Sequence, residues 1–376
     1  MRVQSFTPPQ RVLMGAGPSD IHPRVLAALA QPTIGHLDPE FIRLMDEVKQ
    51  MLQVSFQTDN SLTLPISAPG SAGMEAAFAN VLEPGDKVVV CVNGVFGQRM
   101  AANVMRMGGE VAVVEEEWGK AVDPQKVADA LARHQDAKVL AFVHAETSTG
   151  AASDAQALCQ LAREHDCLSL VDAVTSWGGM PVLADEWQAD IVYSGTQKCL
   201  SCVSGLSPIT FSERARQVIL ARRQPVQSWF LDMQLVMGYW QDGGQRVYHH
   251  TAPVNALFAL HEALVMLLEE GLEKSWTRHW AMHERLRDGL ENLGLEMAVA
   301  PDARLPMLNV VRVPEDVEDA RVRQLMLEDF GLEISAGLGP MKGKIWRIGL
   351  MGNGCRPDYV DRCLEALQVS LSKVRG

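Results

Sequence analysis

Residues 190–205 read DIVYSGTQKCLSCVSG, an apolar run that ends in small polar residues and is followed by a lysine. The run Asp190–Ser194 predicts a β-strand, and Lys198 comes four residues after its end. Lysine is strongly hydrated and is seldom placed at the end of a buried strand. Lys198 is therefore either an ordinary loop lysine or an amine held in a pocket because its nucleophilicity is used.

Strand-length apolar runs alternate with amphipathic stretches around this segment, from about residue 60 to 215. The predicted strands are Lys87–Val92, Glu110–Val114, Lys138–His144, Cys167–Val174, Asp190–Ser194 and Leu206–Phe211. The predicted helices between them are Gly73–Leu82, Gly97–Met107, Asp123–Arg133 and Asp154–Glu164. Such alternation indicates an α/β fold with a mostly parallel central sheet that is covered on both faces.

The C-terminal part has a different pattern. Residues 254–296 are typical of long helices. Short strands and helices follow at Met307–Val313, Ala320–Glu328, Ile345–Leu350 and Pro357–Lys373. We therefore expect an N-terminal segment (1–20), a large domain (21–275) and a small C-terminal α/β domain (276–376).

Composition excludes several classes of protein. The 376 residues are 47% hydrophobic and 21% charged, and the net charge of −12 argues against nucleic acid or an anionic membrane as a partner. We find no apolar run long enough to span a membrane and no signal sequence, so we expect a cytoplasmic protein. The seven cysteines are scattered, and Cys199 and Cys202 lack a second ligand pair, so we expect no metal site.

A carboxylate ends another predicted strand, in LSLVDAVTSWGG at 168–179. Asp172 would be costly to bury unless it were paired. It precedes Lys198 by 26 residues, and the carboxyl ends of parallel strands meet at one edge of a sheet, where ligands bind. The two side chains could form a simple salt bridge or could serve a ligand.

Small residues lead directly into a helical pattern in SAPGSAGMEAAFANVLEPGD, residues 67–86. The predicted helix begins near Ala72 and stops before Pro84. Exposed amides at such a helix entry can bind phosphate, and Ser71 adds a hydroxyl donor. The alternative is a capped helix after a turn, without a ligand.

Two further stretches follow predicted strands, VNGVFGQRM at 92–100 and HAETSTG at 144–150. The Phe96 ring either protrudes over a ligand or packs in the core. His144 and Glu146 could pair structurally, while Thr147 could hydrogen-bond to a ligand. A lysine, a buried aspartate, an aromatic platform and a phosphate site together are the needs of pyridoxal 5'-phosphate.

With these residues the chain resembles the class V, fold-type I aminotransferases of the alanine–glyoxylate and serine–pyruvate group. The resemblance runs in family order from residue 17 to 352 and is carried by GPSDIHPRVL, IGHLDPEF, GMEAAFANVLEPGD, NGVFGQR, HAETSTG, LVDAVTSWGG, YSGTQKCL, RVYHHTAP and GKIWRIGLMG. It implies the pyridoxal-phosphate transferase fold and a homodimer with shared active sites.

The resemblance also implies a role for each matching residue. Lys198 would form the internal aldimine and Asp172 would pair with the pyridine nitrogen. The other cofactor contacts would come from Gly70, Ser71, Ala72, Phe96, Thr147 and Gln197, with Tyr248 and Thr251 reaching the phosphate of the other subunit. Arg347 would bind the substrate carboxylate, and Gly17 and Gly35 would lie at the substrate cleft.

Three positions depart from the family pattern. The phosphate turn reads Ala68-Pro69-Gly70-Ser71, where relatives often have a serine or threonine before the glycine, and Phe96 stands where Trp or Tyr is common. After the lysine, residues 201–205 read SCVSG where relatives often have Pro-Pro-Gly, which leaves the shape of that loop open.

The expected reaction is transfer of an amino group from alanine or serine to glyoxylate or pyruvate. The alternative donor is (S)-ureidoglycine, which would place the enzyme in purine catabolism. Three other classes of protein fit these residues less well. A nicotinamide dehydrogenase would need a glycine fingerprint that this sequence lacks. A cysteine desulfurase would need a reactive thiol such as Cys355, and a non-catalytic scaffold would not need Lys198, Asp172 and Arg347 together.

Overall fold

The computed structural model describes residues 3–241 and 246–376, in which 14 strands and 12 α-helices are defined. The strands are β1 Val12–Leu13, β2 Leu62–Ile66, β3 Lys87–Val92, β4 Glu110–Glu115, β5 Ala137–Val143, β6 Ala145–Glu146, β7 Ala151–Ala152, β8 Leu168–Asp172, β9 Ile191–Tyr193, β10 Ser207–Phe211, β11 Leu308–Arg312, β12 Leu332–Glu333, β13 Ser335–Ala336 and β14 Ile345–Gly349. The helices are α1 Pro23–Leu29, α2 Pro39–Phe56, α3 Gly70–Val81, α4 Val95–Arg106, α5 Pro124–Arg133, α6 Ala155–Glu164, α7 Glu213–Leu220, α8 Met233–Trp240, α9 Val254–Glu270, α10 Leu272–Asn292, α11 Asp319–Phe330 and α12 Pro357–Arg375.

Seven strands form the central sheet, in the order β2-β10-β9-β8-β5-β3-β4. Neighbours are parallel from β9 to β4, while β10 is antiparallel to both β9 and β2. Six of the seven strands therefore point the same way, and the predicted mostly parallel sheet is confirmed. The carboxyl ends of β2, β3, β5, β8 and β9 all lie at one edge, which is where the candidate site residues follow in sequence.

All six strands predicted for this sheet are present, with ends within two residues of the predicted ones. The sequence analysis missed β2, a five-residue strand that is buried throughout. It also placed the start of α3 too late, because the helix begins at Gly70 rather than near Ala72. Pro69 takes an extended conformation just before it and thereby marks the entry.

The hydrophobic core has two main parts. The larger lies between the central sheet and the surrounding helices, and it extends along the chain from Val25 to Leu267. The smaller surrounds the three-stranded sheet β11-β14-β13 with α11 and α12. β1 pairs with β12, so the N-terminal segment is bound to the smaller sheet. The division at residues 275 and 276 falls near the start of α10 and stays a prediction.

Half of the twelve α-helices described begin where a side chain can accept hydrogen bonds from the first-turn amides. Six are capped by the residue that precedes them: His22, Asp38, Asp123, Asp154, Ser212 and Asp232. Pro69 before α3 and Gly94 before α4 provide no such side chain. Among the helices of residues 3–241 and 246–376, none has the length and hydrophobicity that a transmembrane segment needs.

Candidate active site

Lys198 lies buried in the loop after β9, with 8% of its surface exposed. Its Nζ donates a hydrogen bond to the carbonyl oxygen of Ala16. Burial lowers the pKa of the Lys198 amine to about 8, and the positive charge of Arg347 adds to this effect. A sizeable share of the amine is therefore neutral near pH 8, which is the form that can act as a nucleophile.

Gly17 lies directly against this amine. A Cβ at position 17 would lie 2.5 Å from the Lys198 Nζ, and the φ of Gly17 is +102°. Both facts favour glycine, because a side chain would fill the space beside the amine and strain the backbone. The structure thus brings Gly17 to the predicted site.

The loop that follows the lysine is fixed by serine hydroxyls. Ser19 Oγ donates to the carbonyl oxygen of Lys198 (2.6 Å), and Ser201 Oγ accepts from the Asn353 amide (2.8 Å). Ser201 has a positive φ of +52°. These contacts give the loop its shape without the prolines of its relatives.

Asp172 is 3% exposed at the carboxyl end of β8. Its Oδ2 accepts from the Tyr193 hydroxyl (2.6 Å), and its Oδ1 accepts from the Val174 amide (2.8 Å). The simple salt bridge with Lys198 is therefore wrong, since the lysine donates to a carbonyl instead. Burial raises the pKa of Asp172 to about 6. A cation placed against this carboxylate would reverse that shift.

The entry of α3 lies close to these residues. A Cβ at Gly70 would lie 3.3 Å from Val174 Cγ2 and 3.5 Å from the Ser194 carbonyl oxygen, so the helix approaches the loops after β8 and β9 closely. Ser71 is exposed and Ala72 is half-buried at the open end of the first turn. The uncapped amides can therefore hold an anion.

Phe96 lies in the first turn of α4 and is half-buried. Its amide donates to Glu146 Oε2 (3.1 Å). The Thr147 hydroxyl, only 4% exposed, bonds to the Thr175 hydroxyl in the loop after β8. Glu146 does not pair with His144, whose Nδ1 instead bonds to Ser176 Oγ at 3.0 Å.

Arg347 comes from β14 of the smaller sheet and is 7% exposed. Its Nε donates to the carbonyl oxygen of Ala336 (2.8 Å), and its Nη1 donates to that of Thr147 (3.0 Å). Burial lowers the pKa of this guanidinium. Two of its five N–H donors are thus fixed, which orients the remaining ones for a carboxylate.

Tyr248 and Thr251 lie on an exposed loop, with their hydroxyls 3.3 Å apart. The intervening His250 donates to or accepts from Ser67 Oγ at 2.7 Å, close to the entry of α3. Gly35 is exposed, and its neighbour His36 lies against Tyr248, with ring centroids 5.2 Å apart. Gly35 is therefore placed with the Tyr248 loop, and the structure shows no contact between it and Lys198.

Sequence reasoning missed three participants. Tyr193 was given no role, although the register that sets it opposite Asp172 brings its hydroxyl to the carboxylate. Glu146 was considered only as a possible partner of His144, whereas it accepts from Phe96 and Ser148. The Arg99 guanidinium lies 4.8 Å from the centre of the Phe96 ring. Only Arg99 had a signal in the sequence, because it lies three residues after Phe96, near the start of the predicted helix Gly97–Met107.

The donor set fits pyridoxal phosphate. A buried amine, a buried carboxylate that lacks a bonded cation, an aromatic ring and an uncapped helix start surround one place at the sheet edge. Gln197 Oε1 is buried beside them and has no hydrogen-bond partner among the described residues. Cys355, by contrast, is 1% exposed, and burial raises the pKa of its thiol to about 12, so it does not suit a desulfurase.

Comparison with known proteins agrees with this donor set. The family model described as aminotransferase class-V matches residues 12–348. Alanine–glyoxylate aminotransferase of Oryctolagus cuniculus is 42% identical over 96% of this chain and 93% of its own.

Two solved structures superpose closely. Alanine–glyoxylate aminotransferase from Nostoc sp. has a TM-score of 0.96 and 43% identity, over 99% of this chain and 98% of its own. Ureidoglycine–glyoxylate aminotransferase from Bacillus subtilis has a TM-score of 0.97 and 38% identity, over 99% and 96%. The chain therefore belongs to the class-V aminotransferases and is a pyridoxal phosphate-dependent enzyme of that family.

Proposed function

We propose that this aminotransferase moves an amino group from alanine or serine to glyoxylate or pyruvate. The observation that carries the proposal is the buried guanidinium of Arg347, which is near enough to the Lys198 amine to lower its pKa and offers one carboxylate-binding fork. Relatives named alanine–glyoxylate aminotransferase at about 40% identity support the donor and the acceptor. (S)-Ureidoglycine is the second candidate donor, supported by the relative from Bacillus subtilis.

Most of the residues proposed to hold the cofactor lie at, or shortly after, the carboxyl ends of five strands. The α3 entry at Gly70, Ser71 and Ala72 would bind the phosphate, and the Phe96 ring would lie against the pyridine ring. Thr147 and Gln197 would bond near the ring hydroxyl, where the unpaired Gln197 Oε1 lacks a partner. The bound cofactor supplies an aldehyde that reacts with amines and a ring that withdraws electrons from the substrate α-carbon.

Lys198 is proposed to carry the cofactor and to move the proton at its Nζ. The Ala16 carbonyl holds this atom in place, and Gly17 leaves the space beside it free. The lowered pKa lets the same amine give and take a proton at physiological pH.

Asp172 is proposed to hold the proton on the pyridine nitrogen. Its carboxylate is oriented by Tyr193 and by the Val174 amide, and it is shielded from water. A charge–charge contact is worth much more in such a site than in solution.

A homodimer with shared sites is proposed for the working unit. Large apolar side chains are exposed around the Tyr248 loop: Trp229 is 60%, Val247 61% and Tyr248 57% exposed. Leu37 and Phe230 extend the same surface. A second copy of the chain would cover these side chains and could bring Tyr248 and Thr251 to the neighbouring phosphate.

We also propose the cytoplasm as the location, since all seven cysteines are free thiols.

The first prediction concerns Lys198. Lys198→Ala removes the amine, so transamination should fall by roughly 10³-fold or more. Borohydride treatment of the loaded enzyme should attach the cofactor to the peptide containing residue 198 in the wild type and leave the variant unlabelled. Lys49→Ala is the matched control, because Lys49 is equally buried (7%) but lies on α2. A label elsewhere in the wild type would refute the assignment.

The second prediction concerns Asp172. Asp172→Asn keeps the shape but removes the charge, so kcat should fall on the order of 10²-fold, or about 3 kcal/mol of barrier. Tyr193→Phe removes the neighbouring hydroxyl while leaving the carboxylate, and it should cost much less. Near-normal turnover in Asp172→Asn, measured with the cofactor saturating, would rule out the role.

The third prediction concerns the substrate. With glyoxylate as acceptor, kcat/KM for alanine and serine should agree within roughly tenfold, because an apolar pocket rejects one added hydroxyl poorly. Glutamate should be worse by about a hundredfold, since its distal carboxylate would need a second cation. Arg347→Lys should lower kcat/KM for every donor without releasing the cofactor.

Two results would revise this assignment. Preference for ureidoglycine would establish the alternative donor. Efficient use of glutamate would contradict the single-carboxylate argument, and its loss in Arg99→Ala would then identify the guanidinium beside Phe96 as the second cation.

The fourth prediction concerns the shared sites. Co-expression of Lys198→Ala with the Tyr248→Phe, Thr251→Ala double variant should yield heterodimers in which one site has an intact lysine and an intact loop. Purified through two different tags, these heterodimers should have about half the activity of the wild-type dimer. Activity no higher than the mean of the two parent variants would show that the loop serves its own subunit.

A further inference from the structure

Glu146 is a buried carboxylate to which the proposed mechanism gives no role. It is 0% exposed at the end of β6, and burial raises its pKa. Its Oε1 accepts from the amide (2.9 Å) and the hydroxyl (2.6 Å) of Ser148, and its Oε2 accepts from the Phe96 amide (3.1 Å). A carboxylate is retained in such a place only where its oxygens are well supplied with donors.

These contacts provide the cap that α4 lacks. Gly94, the residue before the helix, has no side chain to accept from the first-turn amides. Ser148 Oγ accepts from the Val95 amide (2.9 Å) and Glu146 from the Phe96 amide, so residues some 50 positions further along the chain do so instead. Six other helices are instead capped locally, by the residue that precedes each of them.

Gly94 is what allows the distant cap to approach. A Cβ at this position would lie 2.5 Å from Glu146 Cδ and 2.5 Å from Ser148 Oγ. The missing side chain and the distant carboxylate therefore depend on each other. The arrangement replaces a local cap with one that joins two separate loops of the sheet edge.

The loop that supplies the cap also holds two other parts of the site. Between Glu146 and Ser148 lies Thr147, whose hydroxyl bonds to Thr175 and whose carbonyl oxygen accepts from Arg347 Nη1. Residues 146–148 thus fix three parts of the site: the turn that carries the Phe96 ring, the Arg347 guanidinium and the loop after Asp172.

We infer that Glu146 is a positioning residue. By accepting from the Phe96 amide, its carboxylate fixes the position in which the Phe96 ring lies against the cofactor. The inference rests on the proposed role of Phe96. A carboxylate is needed because both of its oxygens accept. Glutamine has one acceptor oxygen, so either the Phe96 amide or the Ser148 pair would face an N–H group instead.

The experiment measures binding of pyridoxal phosphate to the cofactor-free protein, together with visible circular dichroism of the loaded enzyme. Glu146→Gln should weaken binding roughly 10-fold or more and should change the dichroism of the bound cofactor. The reason is that a buried donor, on Phe96 or on Ser148, would be left unpaired next to the Phe96 ring. Asp190→Asn is the matched control. Asp190 is 2% exposed at the opposite edge of the sheet, where it accepts from Ser169, Ser212 and Arg214.

Both variants should unfold more easily than the wild type, but Asp190→Asn should keep normal cofactor affinity and dichroism. Equal losses of affinity in the two variants would reduce Glu146 to a stabilising residue and overturn the inference. Should Glu146→Gln fail to fold, Glu146→Asp replaces it, because the shorter side chain keeps the charge but withdraws it from the Phe96 amide.

A double-mutant cycle with Phe96→Leu separates this inference from the proposed function. If Glu146 acts through the ring, the loss of affinity from Glu146→Gln should nearly disappear in the Phe96→Leu background. Full additivity would overturn the inference while leaving the role of Phe96 intact. Normal cofactor affinity in Phe96→Leu alone would instead refute the proposed platform, and with it the basis for Glu146.

Discussion

The common direction of β2, β3, β5, β8 and β9 is the constraint on which the site depends. Because these strands end at one edge, loops that are far apart in sequence meet there without any long excursion of the chain. A helix entry, an aromatic ring, a threonine, an aspartate and a lysine each follow one of these strands. The sheet therefore determines which residues can act together, and the loops determine only how each side chain is presented.

Burial at this edge changes the chemistry of the two ionisable groups in opposite directions. Removal from water raises the pKa of Asp172 and lowers that of Lys198, since it disfavours the charged form of each. The two groups do not neutralise each other, because Tyr193 and the Ala16 carbonyl bond to them instead. The carboxylate, which lacks a cation, and the partly neutral amine are thus kept apart. A cofactor with a basic ring nitrogen and an aldehyde requires this separation, because the nitrogen needs the carboxylate and the aldehyde needs the amine.

The sequence predicted the sheet and the positions of Lys198, Asp172, Phe96 and Thr147, because each of these follows an apolar run that fits no other structure. It failed for β2, although β10 has the same length, also contains a proline and was predicted. Contacts set by strand register or by close approach of two loops were also missed. The partner of Glu146 depends on space that Gly94 leaves free, and no local pattern encodes that space.

The smaller sheet reaches the site at two points, through the segment before Gly17 and through Arg347. The Ala16 amide donates to Ser335 Oγ (2.9 Å), and the Gly349 amide donates to the carbonyl oxygen of Met14 (2.8 Å), so the segment before Gly17 is bonded to β13 and to β14, the strand that carries Arg347. The carbonyl that holds the Lys198 amine and the guanidinium of Arg347 therefore share one support. A displacement of the smaller sheet would therefore change the position of both groups together.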